Sequence, residues 1–304
     1  MNGLCKYISE RIHLKKDEDI LINEVEVGKE FANLTSYIEN MAKGLTDKLF
    51  FINKLPLKKF DEWVFVDFGC ADGVLINALS KILPKYGVKG KLIGFDISDN
   101  MIDIANGKFK SKPDDDIQMI FTASWSEVTD AMKENEEAKR VLVCNSVIHE
   151  VYSYAEGLSD INWFWRRVKF TNFDYVCVRD MMCDKSIQYK TDKKLLDTFW
   201  DHVNNNKPEL KKYIKDFEDH WGSIEENENF VHYLLKYRWT TNWKREVNEN
   251  YFPIMVDEFL SKMSGFKKVY FEQFRLPFLE GCWEEDFGIK LKDNTHIKAI
   301  FTKN

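Results

Sequence analysis

Short apolar runs alternate with amphipathic segments along the middle of the chain. Five apolar runs predict buried strands, at residues 63–68, 91–96, 117–122, 141–145 and 174–178. Apolar residues at helical spacing predict helices between them, at residues 74–85, 127–137, 158–168 and in a segment that starts at the N-cap Ser98. Strands alternating with helices favour an α/β fold, a doubly wound sheet with helices on both faces.

Two helical regions and a closing pair of strands lie outside this alternation. Near the N-terminus, helical spacing relates Phe31, Leu34, Tyr37, Ile38 and Met41. Residues 183–262 also look helical, and they are too many for an ordinary loop. Residues 267–272 and 296–301 are strand candidates joined by a short irregular segment, so we expect an antiparallel edge.

These patterns divide the chain into four parts. We expect an N-terminal helical lid or cap at residues 1–58 and an α/β core at 59–182. A helical insertion at 183–262, between the fifth and sixth strands, would cap one end of the sheet. The closing strands of the core would occupy residues 263–304.

The most informative motif is the turn between the first strand and the first helix, Asp67-Phe-Gly-Cys-Ala-Asp-Gly73. Glycines here let the backbone pass close to a ligand. Asp96 ends the second strand, where a carboxylate can accept hydrogen bonds from ribose hydroxyls. The turn differs from the dinucleotide pattern GxGxxG. The acid Asp67 repels phosphate and suits the cationic amino-acid end of S-adenosylmethionine, so the motif favours that nucleoside over NAD.

This turn and the segment Gly94-Phe-Asp-Ile-Ser-Asp-Asn-Met101 resemble motifs I and II of class I S-adenosylmethionine-dependent methyltransferases. The departure is Ala71, a small residue at the position of the middle glycine. The resemblance covers residues 60–180, and the last two strands fit the closing hairpin of that fold. It implies a seven-stranded Rossmann-like sheet, S-adenosylmethionine as the cofactor, and methyl transfer as the reaction.

The resemblance also implies which residues bind the cofactor. Asp67 and Gly69, with the rest of the turn, would line the methionine moiety, and Asp96 would bind the ribose. Ile97 and Met101 would flank the adenine. The full set implied is Asp67, Gly69, Cys70, Ala71, Gly73, Asp96, Ile97, Met101, then Ala123, Ser124 and Trp125 at the adenine edge, and Asn145, Ser146 and Val147 facing the methyl donor.

The acceptor side is predicted to follow the fourth strand, in residues 145–154. This segment lacks the D/N-P-P-Y/F motif that the amino-methylating DNA enzymes share, and it lacks the Pro-Cys pair of the cytosine C5 enzymes. It looks more like family members that act on small molecules. His149 and Glu150 are candidate bases, needed only if the acceptor must lose a proton. The alternative for His149 is that it caps or orients a local loop.

Composition narrows the possible partners. The 304 residues carry 44 basic and 50 acidic side chains, a net charge of -6, which counts against a dedicated duplex-DNA binder. No segment approaches the ~20 apolar residues of a membrane span, and the N-terminus is too charged for a signal peptide. The six scattered cysteines favour reduced core residues in a cytoplasmic protein without a metal site.

Aromatic residues make up 14% of the chain, and residues 230–252 concentrate them. There Tyr233, Tyr237, Trp239 and Trp243 are interleaved with Lys236, Arg238, Lys244 and Arg245. Such a stretch can stack bases of single-stranded nucleic acid, or it can be a helical cap whose aromatics pack inside. The surrounding acids favour the cap.

The favoured acceptor is therefore a small molecule, with RNA such as tRNA second and a protein third. Two other classes stay open at this point. One is a catalytically silent methyltransferase fold used as an interaction module, and the other is a nicotinamide-dependent oxidoreductase. The intact cofactor motif argues against the first, and Asp67 against the second.

Overall fold

The computed structural model describes residues 44–58, 62–112 and 115–303. The predicted N-terminal stripe from Phe31 to Met41 lies outside the described residues. Of the predicted lid, the structure shows a short helix, α1 (Leu45–Lys48), followed by turns. No helix in the described parts of the chain has the length and apolar character needed to cross a membrane.

A seven-stranded mixed sheet forms the centre of the molecule. Its strands are β1 (Glu62–Phe68), β2 (Lys89–Phe95), β3 (Ile117–Thr122), β4 (Lys139–Asn145), β5 (Tyr175–Met181), β6 (Phe266–Phe274) and β7 (His296–Lys303). The strand order is β3-β2-β1-β4-β5-β7-β6. Strands β1 to β5 pair in parallel, and β7 pairs antiparallel with both β5 and β6. This sheet confirms the predicted fold class, the Rossmann-like methyltransferase fold with a closing hairpin.

Helices cover both faces of the sheet and form the insertion. After α1 they are α2 (Val74–Ile82), α3 (Asp99–Lys108), α4 (Trp125–Lys133), α5 (Ile148–Tyr154), α6 (Leu158–Phe170), α7 (Lys193–Asn206), α8 (Leu210–Trp221), α9 (Asn227–Lys236), α10 (Trp243–Glu246), α11 (Val256–Lys262) and α12 (Pro277–Phe287). Alternate residues of β1 point to opposite faces. Val64 and Val66 pack with α4, α6 and α11, whereas Trp63 and Phe65 pack with α2 and α3.

Two predictions about helices are wrong. Helix α4, predicted at residues 127–137, begins at Trp125, because Ser124 caps it by accepting a hydrogen bond from the Glu127 amide at 3.4 Å, and it ends at Lys133. The segment joining the last two strands is a helix, α12, and not irregular. It starts with Pro277 at its first position and ends at Gly288 in the left-handed region (φ +64°).

The insertion has an apolar core of its own. The aromatic rings of Phe199, Phe217 and Phe230 are completely buried in it. Trp283 and Phe287 of α12 pack into the same core, although they follow β6 in the chain. By contrast, α11 packs on the sheet. The core of the helical cap therefore combines residues of the insertion with residues from beyond the sixth strand.

Candidate active site

The turn after β1 is held in an unusual backbone conformation. Gly69 has φ +76°, and a Cβ there would lie 2.6 Å from the Cγ2 of Val147. The amides of Gly69 and Cys70 donate to the carbonyl of Phe95 at 2.8 and 2.9 Å, which joins the turn to the end of β2. Ala71 also has positive φ, at 45°. Ala71, which replaces the middle glycine of the motif, thus has a backbone conformation that favours glycine.

Asp96 connects this turn to α3. Its Oδ2 accepts from the Ala71 amide at 2.8 Å, and its Oδ1 accepts from the Ser98 amide at 3.0 Å. Burial raises the pKa of Asp96, and these backbone amides and the charge of Arg245 oppose the rise. Each carboxylate oxygen has a second lone pair. Asp96 can therefore hold the turn and still accept hydrogen bonds from a ligand.

Asp67 is buried, with 3% of its surface exposed. Its carboxylate forms no hydrogen bond or ion pair with the other described residues. Burial raises its pKa to about 7, against the opposing charge of Lys48, and the charge of Asp96 raises it further. In the same place the Oδ1 of Asn145 is buried and has no hydrogen-bond partner within the described chain. Two buried acceptors without a donor indicate a site for a cationic or amine-bearing ligand.

These groups share one cavity, which we call the cofactor cleft. Its walls come from α1, the β1 turn, the start of α2 and the end of β4. The residues that line it are Leu45, Lys48, Asp67, Gly69, Cys70, Ala71, Asp72, Val74, Leu75 and Asn145. The structure thus brings together five residues that the sequence assigns to the cofactor, namely Asp67, Gly69, Cys70, Ala71 and Asn145.

The residues assigned to the adenine lie in different surroundings. Ile97 follows Asp96 and is 77% exposed, which is high for an apolar side chain, and Met101 is half-buried. Ala123 is half-buried, as is Ser124, the cap of α4. Trp125 is buried in the core, with its ring 5.6 Å from Phe68 and 5.1 Å from Phe95. The structure therefore places Trp125 in a packing role.

The residues after β4 are held by two charged side chains of β5. Ser146 has φ 54°, its amide donates to the carbonyl of Arg179 at 2.7 Å, and its Oγ accepts from Nη1 of Arg179 at 2.9 Å. The amides of Val147 and Ile148 donate to Oδ2 of Asp180 at 3.0 and 2.7 Å. Asp180 is completely buried. It fixes the turn that leads from β4 into α5.

His149 lies between two carboxylates and is buried. Its Nδ1 is 2.7 Å from Oδ1 of Asp180, and its Nε2 is 4.0 Å from Oε2 of Glu249. Burial lowers the pKa of His149, but Asp180 and the neighbouring glutamates outweigh burial and raise it overall. Because the ring is buried and its Nδ1 is already paired with Asp180, this geometry favours the interpretation that His149 orients the segment after β4.

Glu150 belongs to a contact between α5 and the insertion. Its Oε1 accepts from Nη2 of Arg245 at 3.0 Å, and Nε of Arg245 donates to Glu249 at 2.8 Å and to the hydroxyl of Tyr154 at 3.2 Å. We call these four residues, Glu150, Tyr154, Arg245 and Glu249, the junction. Burial raises the pKa of Glu150, and the charge of Arg245 opposes this. The charge of Arg245 also lowers the pKa of Asp96.

Sequence reasoning missed Lys48, Arg179 and Asp180. The last two are adjacent charged residues at the end of the apolar strand β5, after Tyr-Val-Cys-Val. Charged side chains are rarely buried unless they are paired, so this pair was a usable signal. Lys48 gave no comparable signal, because it lies in a polar segment distant in sequence from both motifs.

No protein-family model matches the chain, and no curated protein matches it. Among solved structures, the plantazolicin methyltransferase BamL, in complex with a triazolic desmethylPZN analog and SAH, has 13% identity and a TM-score of 0.40, over 98% of this chain and 97% of that one. PKMT2 from Rickettsia typhi, in complex with AdoHcy, has 10% identity and a TM-score of 0.44, over 80% and 49%. A SAM dependent methyltransferase from Aquifex aeolicus has 12% identity and a TM-score of 0.36, over 88% and 98%.

These likenesses are weak both in identity and in TM-score. The strand order and pairing given above are those of the class I methyltransferase fold.

Proposed function

We propose that the protein is an S-adenosylmethionine-dependent methyltransferase whose acceptor is a small molecule bound under the helical cap. One observation carries the cofactor assignment. The cofactor cleft contains a buried carboxylate, Asp67, and a buried carbonyl oxygen, Asn145 Oδ1, and neither has a donor among the described residues. The ammonium of the methionine moiety would supply that donor.

The buried carboxylate of Asp67 supports a nucleoside without phosphate. A pyrophosphate beside the buried carboxylate of Asp67 would be repelled, whereas an ammonium or a sulfonium would be attracted. The two oxygens of Asp96 are available to ribose hydroxyls in addition to the two backbone amides. The exposed side chain of Ile97 offers an apolar surface for the adenine.

Methyl transfer needs alignment more than proton transfer. The methyl carbon of a sulfonium is already activated, so the protein contributes proximity, orientation and exclusion of water. In the proposed complex Asp67 and Asn145 would hold the amino-acid end and Asp96 would hold the ribose. The turn at Ser146 and Val147, which directly follows Asn145, is fixed in place by Arg179 and Asp180.

The internal pairing of the insertion supports a small acceptor over RNA. Lys236 is buried and donates to the carbonyl of Glu249 at 2.6 Å, and Arg238 pairs with Asp286 at 2.7 Å. The side chains of Tyr233 and Tyr237 are buried in the core of the cap. Aromatic rings inside a core cannot stack on bases. A buried ammonium held by backbone carbonyls and a guanidinium paired with a carboxylate attract phosphate poorly.

Calorimetric titration tests the cofactor. We expect S-adenosylhomocysteine to bind in the micromolar range and NAD not to bind. Absence of S-adenosylhomocysteine binding at millimolar ligand would refute the proposal. An Asp99→Asn variant, which changes an exposed carboxylate of α3, is the matched control for charge and should bind like the wild type.

Transfer of a labelled methyl group tests the acceptor. The protein and S-adenosylmethionine labelled in the methyl group are incubated with the small-molecule, RNA and protein fractions of a cell extract, each separately. We expect label in the small-molecule fraction. Label confined to RNA or to protein would overturn the acceptor assignment, and binding of cofactor without transfer to any fraction would favour the silent fold.

A further inference from the structure

The short helix α1 is fixed on the carboxyl edge of the sheet by its own polar groups. Oδ2 of Asp47 lies 2.9 Å from Nε of Arg179, and its Oδ1 forms an ion pair with Lys298. The carbonyl of Lys48 accepts from Nδ2 of Asn145 at 3.4 Å. Contacts to β4, β5 and β7 therefore set where this helix lies.

This placement brings the side chain of Lys48 into the wall of the cofactor cleft. Lys48 lines the cavity together with Asp67, Gly69 and Asn145, and it is half-buried. Its ammonium forms no hydrogen bond or ion pair with another residue of the described chain. Burial lowers the pKa of Lys48, and the charge of Arg179 lowers it further, against the opposite effect of Asp67. A cation in this position would be stabilised by a nearby anion.

The cleft thus offers one negative and one positive group to a ligand. The amino-acid end of S-adenosylmethionine also carries one of each, an ammonium and a carboxylate. An ammonium at Asp67 and Asn145 would leave the carboxylate on the side of the cleft where Lys48 lies. Charge-assisted hydrogen bonds of this kind are about twice as strong as neutral ones.

We propose that Lys48 binds the α-carboxylate of the cofactor, so that the cleft recognises both charges of its amino-acid end. This inference rests on the proposed function. It assigns α1 to the cofactor site, although α1 precedes the α/β core. Asp47 acts as a positioning residue, since its pairs with Arg179 and Lys298 hold the helix that carries Lys48.

Two ligands that differ only in the carboxylate test this directly. S-Adenosylmethionine has it, and decarboxylated S-adenosylmethionine keeps the amine and the sulfonium but lacks it. We expect Lys48→Met to weaken binding of S-adenosylmethionine by about 10- to 100-fold. Binding of the decarboxylated ligand should change much less, because this ligand has no carboxylate for Lys48 to contact. Removal of Lys48 also relieves repulsion of the ligand ammonium and raises the pKa of Asp67, and these two effects oppose each other. Calorimetric titration gives all four dissociation constants.

Two further variants are controls. Lys54→Met makes the same substitution in the same segment, but Lys54 is exposed and stacks on Tyr270 at 3.8 Å, outside the cleft, so both affinities should be unchanged. Lys48→Arg keeps the charge and should retain a clear preference for the ligand with the carboxylate.

The outcomes separate this inference from the proposed function. If the wild type binds neither ligand, the proposed function fails. If the wild type binds both and Lys48→Met weakens them equally, or changes neither, the cofactor assignment stands and the role of Lys48 is refuted. A melting temperature within a few degrees of the wild type confirms that Lys48→Met is folded. If it is not folded, the affinities of Lys48→Arg for the two ligands are compared instead, and loss of the preference for the carboxylate is then not expected.

Discussion

In the proposed cofactor half of the site, the carboxylate of Asp67, the Oδ1 of Asn145 and the ammonium of Lys48 have no partner among the described residues. In the proposed acceptor half, formed by the segment after β4 and the junction, Asp180, His149 and Arg245 are all engaged in short contacts with their neighbours. The difference separates two uses of buried polar groups. Those without partners are available to a ligand, whereas those already paired hold the backbone and join the sheet to the cap.

This comparison also bears on how an acceptor enters. The junction ties α5 to the insertion through Arg245, which contacts Glu150, Tyr154 and Glu249. In the proposed complex, an acceptor bound under the cap would meet these side chains. The acceptor half is therefore expected to change more on ligand binding than the cofactor half, which already has its acids in place.

The largest expected effect comes from removing the carboxylate that organises the acceptor half. Asp180 accepts from the amides of Val147, Ile148 and Met181 and pairs with His149. Asp180→Ala leaves these buried donors without an acceptor, so we expect the free energy of unfolding to fall by about 3–5 kcal/mol. Urea unfolding measures it. Asp99→Asn should change stability by less than about 0.5 kcal/mol, as exposed positions do. A loss below about 1 kcal/mol at Asp180 would mean that the acceptor half does not depend on this residue.

The next effect is in the cofactor half. Asp96→Ala removes the proposed contacts to the ribose hydroxyls, and we expect binding of S-adenosylhomocysteine to weaken by about 1–3 kcal/mol. Because Asp96 also accepts from the amides of Ala71 and Ser98, part of the loss would come from the turn itself. Binding of a ligand without ribose hydroxyls, the 2′,3′-dideoxy analogue, separates the two. An unchanged dissociation constant for S-adenosylhomocysteine would show that Asp96 is misassigned.

The pH dependence of binding tests the unpaired state of Asp67. Burial raises its pKa to about 7, and only the ionised carboxylate attracts the ligand ammonium. Affinity for S-adenosylhomocysteine should therefore rise about tenfold between pH 6 and pH 8 as this group ionises. Asp67→Asn should remove most of that dependence, and an equally steep dependence in this variant would assign it to another group.

The raised pKa of Asp67 also affects the stability of the protein without ligand, which should fall as pH rises, whereas the affinity for the ligand should increase. A carboxyl group whose folded pKa lies above its unfolded value stabilises the fold most at low pH. That contribution is lost as pH rises through about 7. We expect the free energy of unfolding of Asp67→Asn to fall less than that of the wild type between pH 5 and pH 8. Paired urea titrations across this range measure the difference.

The smallest effect concerns the one departure from the glycine pattern. Ala71 has φ 45°, a conformation that costs a residue with a Cβ about 1–2 kcal/mol. Ala71→Gly should therefore stabilise the protein by up to about 1 kcal/mol, reduced by the greater freedom of glycine in the unfolded chain. Thermal unfolding measures the change. Ala123→Gly, outside the turn, should not stabilise.

The sequence predicted the parts of this molecule that are local in the chain. The turn from Asp67 to Gly73 and the acid Asp96 lie at the ends of successive strands, and parallel pairing brings such ends together. Helices α2 and α3 were also predicted, because apolar residues recur in them at helical spacing. Local pattern and tertiary packing agree in this half of the fold.

Other features depend on contacts between distant segments. Lys48 enters the cleft because its neighbour Asp47 pairs with Arg179, 132 residues further along the chain, and with Lys298. Asp180 orients His149 across two neighbouring strands. Helix α12 has a weak amphipathic pattern, and its first residue, a proline, reads equally well as a turn. The periodicity of a sequence carries no information on contacts between residues as far apart as Asp47 and Arg179.

The position of α12 has a consequence for the order in which the molecule can fold. Its Trp283 is completely buried in the core of the cap and donates from Nε1 to the carbonyl of Leu234 at 2.9 Å. A growing chain that has not yet reached residue 277 therefore carries the cap helices α7 to α9 with part of their apolar surface uncovered. Strands β1 to β5 have all been synthesised by then. The strands that carry Asp67, Asp96 and Asn145 can thus pair during synthesis, while the cap and the contact of Asp47 with Lys298 have to wait for the last part of the chain.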